Sequence, residues 1–314
     1  NAIALPPTWA NYGTIIKDFE AKYGIKVVTA NPDGSSQDEV NAIKSENGTA
    51  KAPDVVDVGV DIAVQYASLF APYRVSTWSA IPAAQRDSTG RWYEDYGGYM
   101  SIGYNSAKFG AITSVSQLLG PKFKNAVALN GNPTEANAAL NGVMMASLAN
   151  GGSAASINQG VSFFHKLKQA GNFTPVQATA ATIKEGTTPV VINWDYLNTD
   201  SVVGQGPSWK VFVPAGAVLG GYYAQAINKN APHPAAARLW EEFLFSQAAS
   251  GGQNLWLQGG ARPVEQVAMT SSNTIDTAAA AKLPAVGGSP VFLSPAQSTS
   301  AATYLATNWA AAIK

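Results

Sequence analysis

An α/β protein of two lobes, each a mainly parallel sheet flanked by helices, is the fold class the sequence predicts. Length is the first reason: 314 residues exceed what one small core accommodates, and chains of that size divide. The second is the order of elements in the amino-terminal third, where short apolar runs alternate with amphipathic stretches. Strand–helix–strand order gives parallel strands with helices on both faces. The third is segment 220–246, which reads as a strand, a turn bounded by Pro232 and Pro234, and a helix. In that helix Ala236, Leu239, Trp240, Phe243 and Leu244 recur at i, i+3, i+4, i+7 and i+8. Proline at its start costs no hydrogen bond, because the first amides of a helix have no intrahelical acceptor.

In chain order, residues 3–5 form the first strand. Residues 14–23 form a helix that buries Ile15, Ile16 and Phe19, with Gly24 placed to end it. Residues 25–29 are the second strand, 37–44 begin another helix, and 55–58 are the third strand, with Val60 and Asp61 at its tip. A strand at 99–104 leaves the first lobe, with Asn105 after it. The second lobe holds strands at 126–129 and 190–193, and helices at 136–149 and 159–170 separated by Gly151-Gly152-Ser153. Residues 211–213 and the strand after Gly220 bring the chain back. Beyond residue 271 the sequence is rich in Ala, Ser and Thr, and helices packing outside the lobes are expected. The first lobe is thus 1–103 with 226–270, the second 104–225, and the carboxyl-terminal helices 271–314.

Composition removes several function classes. Hydrophobic content of 46% with 10% aromatics excludes disorder. The 20 basic and 20 acidic residues balance to a formal net charge of zero, so there is no basic field for nucleic acid or an anionic membrane surface. Cysteine is absent, which removes thiol catalysis, cysteine-based zinc sites and disulfides. No run approaches the roughly 20 apolar residues that span a bilayer. The start, Asn1-Ala2-Ile3-Ala4-Leu5-Pro6, has no charged leader, which suits a mature form from which a signal peptide was removed.

The returning strand and helix, followed by Gln253 and Gly259-Gly260-Ala261-Arg262-Pro263-Val264, closely resemble the crossover and hinge-side helix of bacterial extracellular solute-binding proteins. Those are the soluble receptors of ATP-driven (ABC-type) importers. Gly103-Tyr104-Asn105 is similar to the stretch that begins the family's crossing to the second lobe. The resemblance covers nearly the whole chain as a pattern. It implies a type II-like periplasmic-binding-protein fold, with two lobes joined by two crossover strands and a ligand cleft that closes about a hinge. It also implies a monomeric, exported, periplasmic or extracytoplasmic protein that binds a small-molecule solute and delivers it to an ABC transporter permease. No chemistry, cofactor, metal, nucleic acid or stable membrane insertion is expected of it.

Ligands of such sheets gather beyond the carboxyl ends of the strands. After the first strand, Trp9, Asn11 and Tyr12 crowd two aromatics and an amide onto a turn. Trp9 either covers the end of the sheet or offers a flat face and one hydrogen-bonding tip. After the second strand, Ser35 and Ser36 either leave helix amides free for an anion or cap those amides themselves. Asp61, after the third strand, caps its helix or faces a cation. In the second lobe, Asn132 and Glu135 have capping-box spacing and are also the polar groups nearest the expected cleft. Trp194, Asp195 and Tyr196 flank a carboxylate with two aromatics where a strand stops, which suits a protonated amine or a stacked ring. Of Tyr222 and Tyr223 only one can face the cleft, and Tyr222, nearer the glycines, is the expected one. Arg262 either forks onto a phosphate or carboxylate or has a surface or capping role.

The branch resembled contains receptors for ferric iron, polyamines, aminoethylphosphonate, thiamine and phosphorylated sugars. Its iron binders carry adjacent tyrosines after the second-lobe strand; Trp194-Asp195-Tyr196 stands there instead, which disfavours iron. Three acids and at most one base among the candidates favour a cationic or zwitterionic solute, polyamines included. A phosphate- or phosphonate-type anion held by helix amino-termini is the alternative. From another class, a carbohydrate-active hydrolase would use Glu135 and Asp195 as its paired carboxylates. With only His165 and His233 present, neither followed by an orienting acid, a serine–histidine device is not expected.

Overall fold

A computed structural model describes residues 1–314, apart from the side chains of Asp200 and Ser201. The chain divides into two compact units, Asn1–Gly97 with Tyr222–Leu283, and Gly98–Gly221 with Pro284–Lys314. The first unit opens with β1 (Ala2–Ile3), α1 (Tyr12–Tyr23), β2 (Thr29–Ala30), α2 (Ser36–Ser45), β3 (Val55–Gly59), α3 (Val60–Gln65) and β4 (Phe70–Ala71). The long strand β5 (Tyr93–Asn105) then enters the second unit. There the chain forms α4 (Ser106–Phe109), β6 (Val127–Leu129), α5 (Asn137–Ala149), α6 (Asn158–Gln169), α7 (Ala180–Lys184), β7 (Val190–Trp194), α8 (Asp200–Val203) and β8 (Trp209–Phe212). Strand β9 (Leu219–Asn228) returns to the first unit, which adds α9 (Pro234–Leu244), α10 (Gly252–Gln258), β10 (Arg262–Pro263), α11 (Gln266–Ser271) and α12 (Thr277–Ala280). The closing elements, β11 (Val291–Phe292) and α13 (Pro295–Ala312), belong to the second unit.

In the first unit β1 and β2 are parallel, while β3 and β4 pair antiparallel with β9 and β10 pairs antiparallel with β5. Alternation puts Val56 and Val58 of β3 into an apolar cluster with Ile3, Ile43, Phe70 and Trp92. Asp57 therefore points to the opposite face, across from Gln225 of β9. Helix α1 covers that face with Tyr12, Ile15 and Phe19, and Ile16 is half-buried beside them. Phe19 packs edge-on against Trp240 and Phe243 of α9, at 5.0 and 5.6 Å between centroids. The strand expected at 25–29 shrinks to Thr29–Ala30, because β1 offers only Ala2 and Ile3 as ladder partners. Helix α9 forms as read, but its buried side also takes in Glu241.

In the second unit β6 and β7 are parallel, β5 runs antiparallel to β7 and β8, and β11 pairs in parallel with the first residues of β9. Every antiparallel pair of the named strands in either unit involves β5 or β9, the two strands that run from one unit into the other. Helix α5 is buried from Ala138 to Ser147 and packs against β7 and α6. The approach to α6 is close enough that a Cβ on Gly160 would lie 2.0 Å from the Val143 carbonyl oxygen. Trp309 of α13 seals the outer side of α6, with its ring 5.4 Å from Phe164 and 6.0 Å from Phe173. The carboxyl-terminal residues thus split, with α12 against α10 in the first unit and α13 against α5 and α6 in the second. Among the described residues no helix is long and apolar enough to cross a membrane.

Candidate functional site

The turn after β1 in the first unit is tightly specified. Ala10 and Asn11 both have left-handed backbones, with φ of 43° and 68°. That conformation costs about 1–2 kcal/mol for a residue with a Cβ, so something must hold it. The Asn11 amide does so by donating to the Leu255 carbonyl of α10 at 2.8 Å, and the Tyr12 N–H donates to the Trp9 carbonyl at 2.9 Å. Asn11, a candidate ligand contact, therefore spends one of its two side-chain donors on the scaffold. The same turn carries Trp9 half-buried, with its indole N–H donating to the Tyr96 hydroxyl at 2.6 Å.

Behind Trp9 lies a chain of polar groups in an otherwise aromatic interior. Tyr96 donates to Asp57 Oδ2 at 2.8 Å, and Tyr12 donates to the same oxygen at 2.8 Å. Gln225 bridges onward, donating to the Tyr12 hydroxyl at 3.0 Å and to Asp95 Oδ2 at 2.8 Å. Tyr12, read as a ligand contact, is fully buried with its hydroxyl engaged by both partners. Tyr223 stacks on Tyr96 at 5.9 Å and meets Trp9 edge-on at 5.6 Å. Tyr223 pairs with Gly59 at the carboxyl end of β3, so Trp9 and Tyr223 occupy the strand ends where ligands are expected. Tyr222 is half-buried; the tyrosine that joins this aromatic wall is its neighbour.

Four carboxyls lie in the interior of this unit, Glu39, Asp57, Asp95 and Glu241, all buried and none in an ion pair among the described residues. Burial is the leading cause of a raised pKa at each of them. Asp57 is pushed up to about 7, its two tyrosine hydrogen bonds offsetting part of the cost. Glu39 accepts from the Asp57 backbone N–H at 3.0 Å. Glu241 has no hydrogen bond on either oxygen, although the Tyr93 hydroxyl faces it.

Other first-unit candidates sit within helices and strands or at their caps. Ser35 caps α2 in a reciprocal box with Asp38, so the Asp38 N–H is taken by the Ser35 hydroxyl and the Ser35 N–H by the Asp38 carboxylate. Ser36 accepts from the Gly59 N–H at 3.0 Å. Asp61, half-buried in the first turn of α3, has its carboxyl raised by burial and turned to the amides of Ile62 and its own residue. Arg262 is 8% exposed within β10, which removes the surface role considered for it. His233 precedes α9 without a capping side-chain bond; its ring lies 3.0 Å from Asp54, an acid that sequence order did not suggest as its partner.

In the second unit β7 ends at Trp194, and Asp195 folds back: its Oδ1 accepts from the N–H groups of Tyr99 and Tyr196 at 3.0 and 3.1 Å. A Cβ on Gly98 would come 2.2 Å from that oxygen, and one on Gly221 would come 2.6 Å from the Trp194 ring. These two glycines let the crossing strands pass close to the carboxylate and the indole. Trp194, Asp195 and Tyr196 are all buried, with the Trp194 and Tyr196 rings parallel at 6.4 Å. The indole N–H of Trp194 is buried without a hydrogen-bond partner. Asn132 and Glu135 are exposed, and the capping box foreseen for them does not form. Helix α5 starts later, at Asn137, while Asn132 accepts from the Thr134 N–H in a turn before it. Among the described residues no group of His, Cys, Asp or Glu is placed to hold a metal ion.

Residues 62–284 match the family described as bacterial extracellular solute-binding protein. Among solved structures, the periplasmic binding protein AfuA from Actinobacillus pleuropneumoniae, with exogenous fructose-6-phosphate bound, is 18% identical over 85% of each chain, with a TM-score of 0.68. Iron-bound HitA from Pseudomonas aeruginosa is 19% identical over 97% of this chain and 96% of that one, at 0.68. An ABC transporter substrate-binding protein from Bradyrhizobium japonicum USDA 110 is 15% identical over 100% and 98%, at 0.73. At these identities the likeness is one of fold. No curated protein sequence matches the chain.

Proposed function

The chain belongs to the bacterial extracellular solute-binding proteins, and on that premise we propose that it is the receptor of an ABC-type importer for a small cationic or zwitterionic solute. It captures the solute outside the cytoplasm and delivers it to the importer's permease. The observation that supports this charge preference is Trp9, the half-buried ring of an aromatic cluster whose other members, Tyr96 and Tyr223, are buried behind it, with Asp57 and Asp95 beyond them and no paired base. A protonated amine is attracted by the Trp9 face, at about 0.5–2 kcal/mol, and by any ionised carboxyl behind it. An anion gains nothing from such a ring, and at the α2 amino-terminus it would meet the Asp38 carboxylate.

The test is thermal unfolding with putrescine, 2-aminoethylphosphonate, thiamine and glucose 6-phosphate, together with mass spectrometry of any solute retained on purification. Saturation at 100 times Kd adds about 2.7 kcal/mol of stability. The expected result is a stabilising shift with an amine-bearing solute, recovered chemically unchanged, and a much reduced shift in Trp9→Ala. Stabilisation by glucose 6-phosphate alone would refute the charge preference, and turnover of the bound solute would make the protein an enzyme.

A further inference from the structure

We propose that Asp57 is a positioning residue for the Trp9 indole, acting through the Tyr96 hydroxyl, so that the protonation state of one buried carboxyl sets how firmly the ring is held. Its consequence for capture rests on the reading of Trp9 as a solute contact. The geometry is an unbroken series of donors: Trp9 Nε1 to Tyr96 at 2.6 Å, Tyr96 to Asp57 Oδ2 at 2.8 Å. A phenol that donates to a carboxylate is polarised and becomes a better acceptor for the next donor in the series. Charge-assisted bonds are roughly twice as strong as neutral ones, so protonating Asp57 loosens both links together.

Every neighbour that faces Asp57 is acidic or neutral. Tyr12 from α1 and Tyr96 from β5 donate to it, and Glu39 from α2 accepts its backbone N–H. The charge of Asp57 in turn raises the carboxyls of Asp95 from β5 and Glu241 from α9, and Gln225 of β9 lies opposite it in the ladder. No lysine, arginine or histidine contributes at Asp57. Its Oδ1 is buried and accepts no hydrogen bond, so only Oδ2 anchors the charged form. With its carboxyl raised to about 7, the anchor changes strength near neutral pH. Above that pH the indole is held firmly; below it the same links are neutral and hold the half-buried ring less tightly.

The experiment labels the eight tryptophans with 5-fluorotryptophan and follows the fluorine NMR line that Trp9→Phe removes, from pH 5 to 9, in the solute-free protein. The wild-type line is expected to shift sigmoidally near neutral pH. In Asp57→Asn it should stay at its low-pH position throughout. In Tyr96→Phe, which keeps the ring against Tyr223 and Trp256, the shift should vanish even if the asparagine variant folds poorly. A transition that survives in Tyr96→Phe, or persists in a folded Asp57→Asn, or is missing in the wild type overturns the proposal. Adding putrescine, 2-aminoethylphosphonate, thiamine and glucose 6-phosphate in turn keeps the two readings apart. A Trp9 line that titrates but moves with none of them upholds the role of Asp57 and removes Trp9 from the solute site.

Discussion

Replacing Asp57 by asparagine tests whether the first unit is built to carry an uncharged acid. The ordinary aspartate pKa of 3.8 rises to about 7 in the folded chain, chiefly because burial penalises the charged form. A carboxyl raised in this way contributes stability that is fully present below the unfolded pKa and is lost as pH climbs through the folded one. Between pH 5 and pH 8 the native state holds the proton over about two pH units in which the unfolded chain does not. At about 1.4 kcal/mol per unit, Asp57 alone makes the first unit about 3 kcal/mol less stable at pH 8 than at pH 5. For a unit of this size that is roughly 6–12 °C in Tm. Glu94 and Glu265, also raised to about 7 by burial, add in the same direction. Scanning calorimetry of the wild type and Asp57→Asn at pH 5, 6, 7 and 8 measures this. The wild-type transition should fall as pH rises, and the variant should lose about 3 kcal/mol of that slope. Stability that increases from pH 5 to pH 8, or an unchanged slope in a folded variant, would refute the reasoning.

Three further outcomes follow from packing and capping. Gly160→Ala places a methyl group against the Val143 carbonyl and should destabilise the second unit by about 3 kcal/mol, read from urea unfolding. Trp309→Ala removes the ring that packs on Phe164 and Phe173, at a cost of about 3–5 kcal/mol, with hydrogen exchange rising first in α6 and α13. Ser35→Ala should cost about 1 kcal/mol and leave solute affinity unchanged, since the hydroxyl serves the α2 cap; a large loss of affinity would return Ser35 to the binding residues.

Elements with strong local signals were legible in the sequence. The apolar spacing of α1 and α9, the left-handed Gly24 that ends α1, and the apolar runs of β3 and β7 each carry their own instruction. The strand expected at 25–29 failed for a non-local reason: its alternation is genuine, but the ladder is only as long as β1. Asn132 and Glu135 have the right spacing for a box at the wrong place, because the chain makes a turn through Pro133 before α5 begins. Spacing rules read a motif; they do not say where the helix it caps will start.

The polar interior of the first unit shows what kind of signal a sequence withholds. Asp57 stands in Val55-Val56-Asp57-Val58-Gly59, and Gln225 stands in Ala224-Gln225-Ala226, each a polar residue inside an apolar strand. That alone marks both for attention, since a buried polar group without partners costs several kcal/mol and persists only where neighbours satisfy it. The neighbours cannot be named from the sequence: Tyr12 lies 45 residues from Asp57, Tyr96 lies 39 away, and Gln225 lies 213 from Tyr12. They meet only because β3 and β9 bring Asp57 opposite Gln225 while α1 lies over the same face. The signal for Trp9 was the reverse case, an aromatic on a turn with no local reason to be there. The fold supplies the reason by joining the two: the unexplained tryptophan at the surface and the unexplained aspartate in the strand are the ends of one hydrogen-bonded series. An observation that separates them, such as a Trp9 environment indifferent to Tyr96→Phe, would leave each without an account.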